Sequence, residues 1–440
     1  MEQTQQEKIS LINGRIHTRS GIAKNITFER GRIVSIDDES GGFSGKVIDL
    51  HGRTVVPGFI DSGINFLLWA EIQERLNLLN VRTLKEFKDA LSAYSRANEK
   101  PLRGWYIAYN LPDSVMISRD DIEEIITSSP CAVIDEKNTH IILNTSGMNE
   151  LNMPQDNVET DEFNQHLPKL KAEEIKYLVD TYSSKISALG ISEIAGDFDN
   201  ASLDLWDVFF KEIYDSFKFR VRCNLGFNDV NTLNDFLASG LRTGDGLPFC
   251  KLGGFLVKSE LEQQEQKNMI YSAHLSGCQV ISDNNKSCLN ALERVVKKVR
   301  KSSRHLVKNF IGGTLIERMK LLNFSGLAWP DIDANFIHEA FQNGVVVSAS
   351  SGENLSAPLK NIGRFVTDGL SVAEALSVYT WGAAWNFNND LRRGELAVGN
   401  DADMVVLEQD PFLVRPEEIS LIDVTMTICA GNKVYASGAL

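Results

Sequence analysis

The chain has 440 residues, with 45 lysines and arginines against 59 aspartates and glutamates, a formal net charge of −14. Its 43% apolar and 24% charged residues exclude a disordered or collagen-like chain and supply enough apolar side chain for a large core. The acidic balance excludes a general nucleic-acid binder, which needs a basic footprint, and no run of about eighteen uncharged apolar residues offers a membrane-spanning helix.

The N-terminal region alternates short strand-like runs (10–16, 32–37, 46–50) with turns at Gly14, Gly31, Gly41, Gly42 and Gly52. The polar stretch 1–10 carries no apolar segment of a secretory signal, so a cytoplasmic location is expected. The middle of the chain alternates β-branched apolar runs with helical patterns. Runs near 54–60, 191–195, 219–225, 249–253, 279–283, 305–311, 324–328 and 344–349 read as strands. Ile175, Leu178, Val179, Tyr182, Ile186 and Leu189 keep helical spacing, with Gly190 as a C-terminal stop. Leu289, Leu292, Val296 and Val299 form a second stripe, and Ser371 with Glu374 a capping box. The C-terminal region returns to strands at 403–407, 424–429 and 434–435.

About eight strands, each followed by a helix, predict an α/β fold of the (β/α)8 TIM-barrel type. A doubly wound open sheet fits the same alternation, but count and length favour the closed barrel. Neither chain end has enough strands to bury a face alone, so the two are expected to form one composite β-sandwich, 1–57 with 394–440, around a barrel at 58–393. The connection from Asp61 to Ile191 is too long for one crossover helix. It contains strand-like runs of its own, so about 81–170 reads as an insertion, placed to act as a lid after the first barrel strand.

The six cysteines, at 131, 223, 250, 278, 288 and 429, form no C-x-x-C pair, which argues for free thiols over a disulfide framework or structural zinc. Val55-Val-Pro-Gly-Phe-Ile-Asp61-Ser62 is the most specific string in the chain. Near the other end stand Glu374-Ala-Leu-Ser-Val-Tyr-Thr-Trp-Gly-Ala-Ala384 and Arg393-Gly-Glu-Leu-Ala-Val-Gly-Asn-Asp-Ala-Asp403-Met-Val-Val-Leu407, followed by Asp410-Pro411-Phe412. With these motifs the chain resembles the amidohydrolase superfamily, in the branch grouped as amidohydrolase family 3. The resemblance covers essentially the whole chain and implies a barrel with a β domain from both ends. It also implies zinc or another divalent metal, and hydrolysis of carbon–nitrogen bonds other than peptide bonds.

The residues depart from that pattern where the metal ligands belong. The resemblance puts Gly63 and Asn65 in place of the two histidines after the first strand. It puts Lys251 at the lysine that can be carboxylated, Asp283 and Asn309 at two later histidines, and Ser351 or a serine beside it at the last aspartate. Zinc needs three or more imidazole, thiolate or carboxylate ligands, and without a metal nothing lowers the pKa of a bound water to about 7. The expectation is a metal-free, catalytically degenerate relative without a cofactor, in which Lys251 and Asp283 pair inside a pocket rimmed by Gly63, Asn65, Asn309 and Ser351. It would bind a small molecule or regulate. Two alternatives stand beside it: an active hydrolase using Lys251 and Asp283, and a structural subunit of an intact homologue. The fold also leaves a homo-oligomer open.

Other candidates are weaker. His140 lies in the insertion and reads as structural. His338-Glu339 lacks the second histidine of a zinc motif, since Gln342 stands there. His305 starts a strand, the wrong end for a site. Glu193 and Asp197 flank the second barrel strand; they could line the pocket, but acidic residues at such an edge read as solvated. The 41–46 run lacks the Ser or Thr of a phosphate loop, and the basic run 297–304 reads as a helix cap.

Overall fold

The computed structural model describes residues 8–38, 45–155, 157–198, 203–208, 213–214, 216–258, 260–299, 304–352 and 355–438. The turn expected at Gly41 and Gly42 and residues 300–303 of the basic run lie outside them. The chain divides into two compact units, one of residues up to 66 together with 180 onward, the other 67–179.

In the first unit both chain ends build a β-sandwich. Strand Met404–Leu407 pairs antiparallel with Thr54–Pro57, and Thr54–Pro57 pairs parallel with Arg15–Thr18. The C-terminal segment thus sits between the N-terminal strand and the hairpin partner Val424–Cys429, in a six-stranded sheet. A four-stranded sheet around Ile9–Ile12 supplies the other layer. Leu11, Phe28 and Ile33 from this layer and Ile16, Val55, Met404 and Ile428 from the first share one buried core. Strands Met404–Leu407 and Val424–Cys429 are buried almost throughout.

Eight parallel strands form the barrel, here β1 (Phe59–Asp61), β2 (Ile191–Phe198), β3 (Arg220–Gly226), β4 (Cys250–Val257), β5 (Val280–Ser282), β6 (Leu306–Lys308), β7 (Ser325–Ala328) and β8 (Val347–Ala349). They neighbour one another in chain order. The amide of Ser62 donates to the carbonyl of Ala349 at 2.9 Å, which brings the ends of β1 and β8 together. The apolar run read as one strand over 54–60 serves two sheets. Gly58 separates them, because a Cβ there would lie 2.4 Å from Ser192 Oγ. Helix Ala172–Ala188 ends at Gly190, whose φ of +83° is the left-handed stop that the sequence indicates.

A buried charge network holds the amino-terminal end of the barrel to the sandwich. Glu193 on β2 accepts from Arg222 Nε on β3 at 2.9 Å and from Arg393 at 2.8 Å. Arg393 also meets Asp401 at 2.8 Å, and Arg220 meets Asp403 at 2.7 Å. The motif over 393–407 therefore does structural work. Its arginine and two aspartates neutralise charges that the barrel strands bury.

In the second unit a five-stranded sheet runs in the order Asn157–Glu159, His140–Leu143, Cys131–Asp135, Tyr106–Leu111, Leu76–Asn77. Helix Leu84–Ala97 buries Phe87 and Leu91, and its first turn is capped by Thr83, which accepts from the Glu86 amide. No described helix is long and apolar enough to cross a membrane.

Candidate functional site

In this architecture, sites form at the carboxyl-terminal ends of the barrel strands. There a cavity of about 340 Å³ is lined by Asp197, Lys258, Glu260, Asp283 and Lys308 over a floor of Leu256 and Ile281. Leu256, Val257 and Lys258, at the end of β4 and its exit, all reach this cavity. The ammonium of Lys308, the last residue of β6, forms an ion pair with Asp197 on β2. These strands are not neighbours in the sheet, so the pair spans the barrel lumen. Asn224 on β3 donates to Asp197 at 2.9 Å and accepts from the Gly254 amide at 3.0 Å, fixing the carboxylate from the side.

Asp283 follows β5 and lines this cavity, as the sequence reading requires. Lys251 does not. It is the second residue of β4, and Val257, six residues on, is the one that pairs with Ser282 beside Asp283. At about 3.3 Å per residue the two are about 20 Å apart along the strand, so the expected pairing of Lys251 with Asp283 is not formed. The half-buried Lys251 instead faces the charge network. Burial first, then the positive charges of Arg222 and Arg393, lowers its pKa. The resemblance alone placed Lys251 at the mouth, whereas β4 runs on past Gly253 and Gly254. Both stand within it, because a Cβ at Gly253 would lie 2.2 Å from Asn224 Oδ1 and one at Gly254 2.6 Å from Ile281.

The other positions of the expected rim scatter. Gly63 is buried, and a Cβ there would come within 2.8 Å of Ser350 Oγ, so no imidazole fits. Ser351 is buried and donates its amide to Asp61 at 2.9 Å, beside the Gly63 amide at 3.1 Å. Burial pushes the Asp61 carboxyl up to about 6 against these hydrogen bonds. Tyr379 closes this seam, donating to the Ser350 carbonyl and accepting from Asn361. Asn65 is half-buried and outside the lining of the mouth. Asn309 is exposed with a φ of +51°, a left-handed turn residue that leads the chain off β6. The residue before it, Lys308, faces the lumen. Glu193 is not solvated: it is 1% exposed, and although burial opposes it, Arg393 and Arg222 hold its carboxyl down at about 2.

A zinc site of the kind that the motifs imply does not fit these residues. Among the described residues no histidine lines the mouth. His274 and His305 bond to each other at 2.9 Å at the far end of the barrel, and His17 bonds Asp410 in the sandwich. Among the described residues no group of three or more histidine, cysteine, aspartate or glutamate side chains is placed to hold a metal ion. Of the mouth carboxylates, Asp197 already faces the Lys308 ammonium.

The amidohydrolase family profile matches residues 328–435, from the last barrel strands through the sandwich return. YtcJ of Bacillus subtilis (strain 168), named as an amidohydrolase, is 39% identical over 66 residues, 15% of this chain and 12% of that protein. By this profile and this relative the chain is similar to the amidohydrolase superfamily. A second relative, the exoenzymes regulatory protein AepA of Pectobacterium carotovorum subsp. carotovorum, is 29% identical over 138 residues, 28% of the chain and 30% of that protein. The chain thus spans less than a third of the length of either curated relative.

Among solved structures, an uncharacterized metal-dependent hydrolase from Pyrococcus furiosus superposes with a TM-score of 0.76 at 16% identity, over 92% of this chain and 100% of that one. The atrazine chlorohydrolase TrzN from Arthrobacter aurescens TC1, complexed with zinc, gives 0.59 at 12% identity, over 98% and 97%. At these identities the likeness is one of fold, and the superfamily's barrel with its added sheets is what they share.

Proposed function

We propose that this amidohydrolase-like chain binds a small polar molecule at the mouth of its barrel and has lost the metal-dependent hydrolysis of carbon–nitrogen bonds. One observation carries the reading: the Lys308–Asp197 ion pair across the lumen. A lysine ammonium there supplies the positive charge that a divalent metal would bring, and it repels one. The steric block at Gly63 and the absence of histidine from the mouth point the same way. The charged rim, with Lys258, Glu260 and Asp283 around that pair, suits a ligand with both donor and acceptor groups. The regulatory name of the Pectobacterium relative favours a binding role over turnover. A hydrolase built on Lys251 and Asp283 lacks its geometry.

The test is metal content by mass spectrometry on protein purified without chelator or affinity-tag metal, together with hydrolase assays. We expect less than about 0.1 metal per chain, unchanged by dialysis against zinc or manganese, and no turnover of amide or cyclic-amide substrates. Close to one tightly held metal per chain with turnover would overturn the reading. Lys308→Met should lower stability by about 1–3 kcal/mol, since it leaves a half-buried carboxylate unpaired. Adding Asp197→Leu should recover part of that loss in urea denaturation.

A further inference from the structure

Two cavities of about 260 and 420 Å³ adjoin on the first unit, with Thr18, Arg19 and Leu396 in the walls of both. The smaller lies between the sandwich and helix Trp381–Asn386. Val56 and Pro57, which lead into β1, line it, so it sits at the amino-terminal end of the barrel, away from the mouth. Its walls are firmly packed. A Cβ at Gly394 would lie 2.6 Å from the Trp381 backbone, and His17 stacks on Phe412 with ring centroids 4.6 Å apart.

Around these cavities Ile22, Trp381, Val398, Phe412 and Leu413 are between 36% and 69% exposed. The first four line them, and Leu413 follows Phe412 in the chain. Single exposed apolar residues are ordinary, but these five show together on the order of 500 Å², as much as the largest apolar patch of a monomer usually reaches. Strand Gly21–Ala23 is the outer edge of the six-stranded sheet, and it carries neither a proline nor a charge to block pairing.

Three features point to a second copy of this chain as the occupant. The patch holds both halves of a contact: a recess of about 260 Å³ and, beside it, an exposed leucine. A cavity of about 150 Å³ already takes benzene, so an apolar side chain fits the recess, and a two-fold axis seats each leucine in the other copy. The charges are self-complementary as well. Copies with a net charge of −14 repel one another, yet among the described residues the lining of the two cavities carries as charged groups only Arg19, Asp37 and Glu395. The amides of Lys24 and Asn25 donate to Asp37. Arg19, its side chain largely exposed, stands 3.7 Å from Glu395, so the same axis sets Arg19 of each copy against Glu395 of the other. Finally, an apolar centre of this size with a polar rim suits the roughly 800 Å² per partner of a stable interface.

We propose that this patch is the interface of a homodimer, in which Leu413 of each copy enters the recess beside Trp381 and Phe412 of the other. Both barrel mouths stay open, so the interface is independent of what the mouth binds.

Sedimentation equilibrium on the full chain at about 1–100 μM tests it. We expect a dimer with a Kd of about 10 μM or tighter. Leu413→Glu should weaken it at least about a hundredfold, because the axis makes each substitution count twice. Arg19→Glu sets like charges face to face and should weaken it about tenfold, and adding Glu395→Arg should restore it. Leu321→Glu, at an exposed residue of helix Thr314–Leu322, should leave the Kd unchanged. A monomer at about 100 μM would overturn the proposal, also where a different protein is found on the patch. So would a dimer that survives Leu413→Glu, one that the charge exchange fails to restore, or one lost in Leu321→Glu.

Discussion

His274 and His305 form a hydrogen-bonded chain whose protons are placed by the partners at its two ends. The Val280 amide donates to His305 Nδ1 at 2.9 Å, so that nitrogen is bare and Nε2–H donates to His274 Nδ1. The Nε2–H of His274 then donates to the Val299 carbonyl at 2.7 Å. Protonating His305 breaks this chain. Burial, and then the neighbouring His274, depress its pKa from 6.5 to about 3. Its contribution to stability is therefore full above pH 6.5 and is lost as pH falls toward 3. Asp61 has the opposite sign. Raised from 3.8 to about 6 by burial, it favours the fold below pH 3.8, and that advantage is lost as pH rises through about 6. Each slope is about 1.4 kcal/mol per pH unit, so the two nearly cancel between pH 6 and 4. His305→Asn keeps an acceptor for the Val280 amide and removes the titration. Its urea midpoint should rise on acidification from pH 6 to 4, where the parent protein's stays nearly flat. A midpoint that falls in parallel with the parent's would show that His305 is not buried neutral.

The ends of β1 and β8 meet through Gly63, Asp61 and Ser350, a seam too tight for any side chain at 63. Gly63→Ala would force Ser350 aside, and Ser350 Oγ accepts from the Gly352 amide at 2.9 Å. We expect a loss of about 1–3 kcal/mol in denaturant unfolding, recovered in part by Gly63→Ala with Ser350→Gly. The same element shows what the sequence could and could not reveal. The alternation of strand and helix, the composite sandwich and the stop at Gly190 are local patterns, and they were legible. Where each strand ends at the mouth was not. Gly253 and Gly254 read as punctuation because the signal for glycine in a turn and for glycine under a neighbour's side chain is the same. The resemblance put Lys251 at the mouth instead of at the far end, and nothing local in the sequence corrected it. Lys308, one residue before Asn309, was overlooked because its role depends on Asp197, more than a hundred residues away.

At the scale of the molecule, the barrel and the sandwich of the first unit share the network of Glu193, Arg220, Arg222, Arg393, Asp401 and Asp403. Removing one member of a buried charge pair costs about 3–5 kcal/mol, a large part of a typical domain's stability. Arg393→Met leaves Glu193 with Arg222 and Asp401 with Arg220, Arg32 and Arg392, and should lower Tm in calorimetry while barrel and sandwich signals still melt as one. Two resolved transitions would mean that the network does not couple them.

The sandwich also sets a timetable. Strand Thr54–Pro57 waits for its partner Met404–Leu407, which leaves the ribosome roughly 350 residues later. At about 5–20 residues per second that is on the order of 20–70 s. Throughout that interval the nascent chain carries half of an apolar β-sheet with an open edge. A cell that makes this protein has to keep that edge from pairing elsewhere until the C-terminal strands emerge.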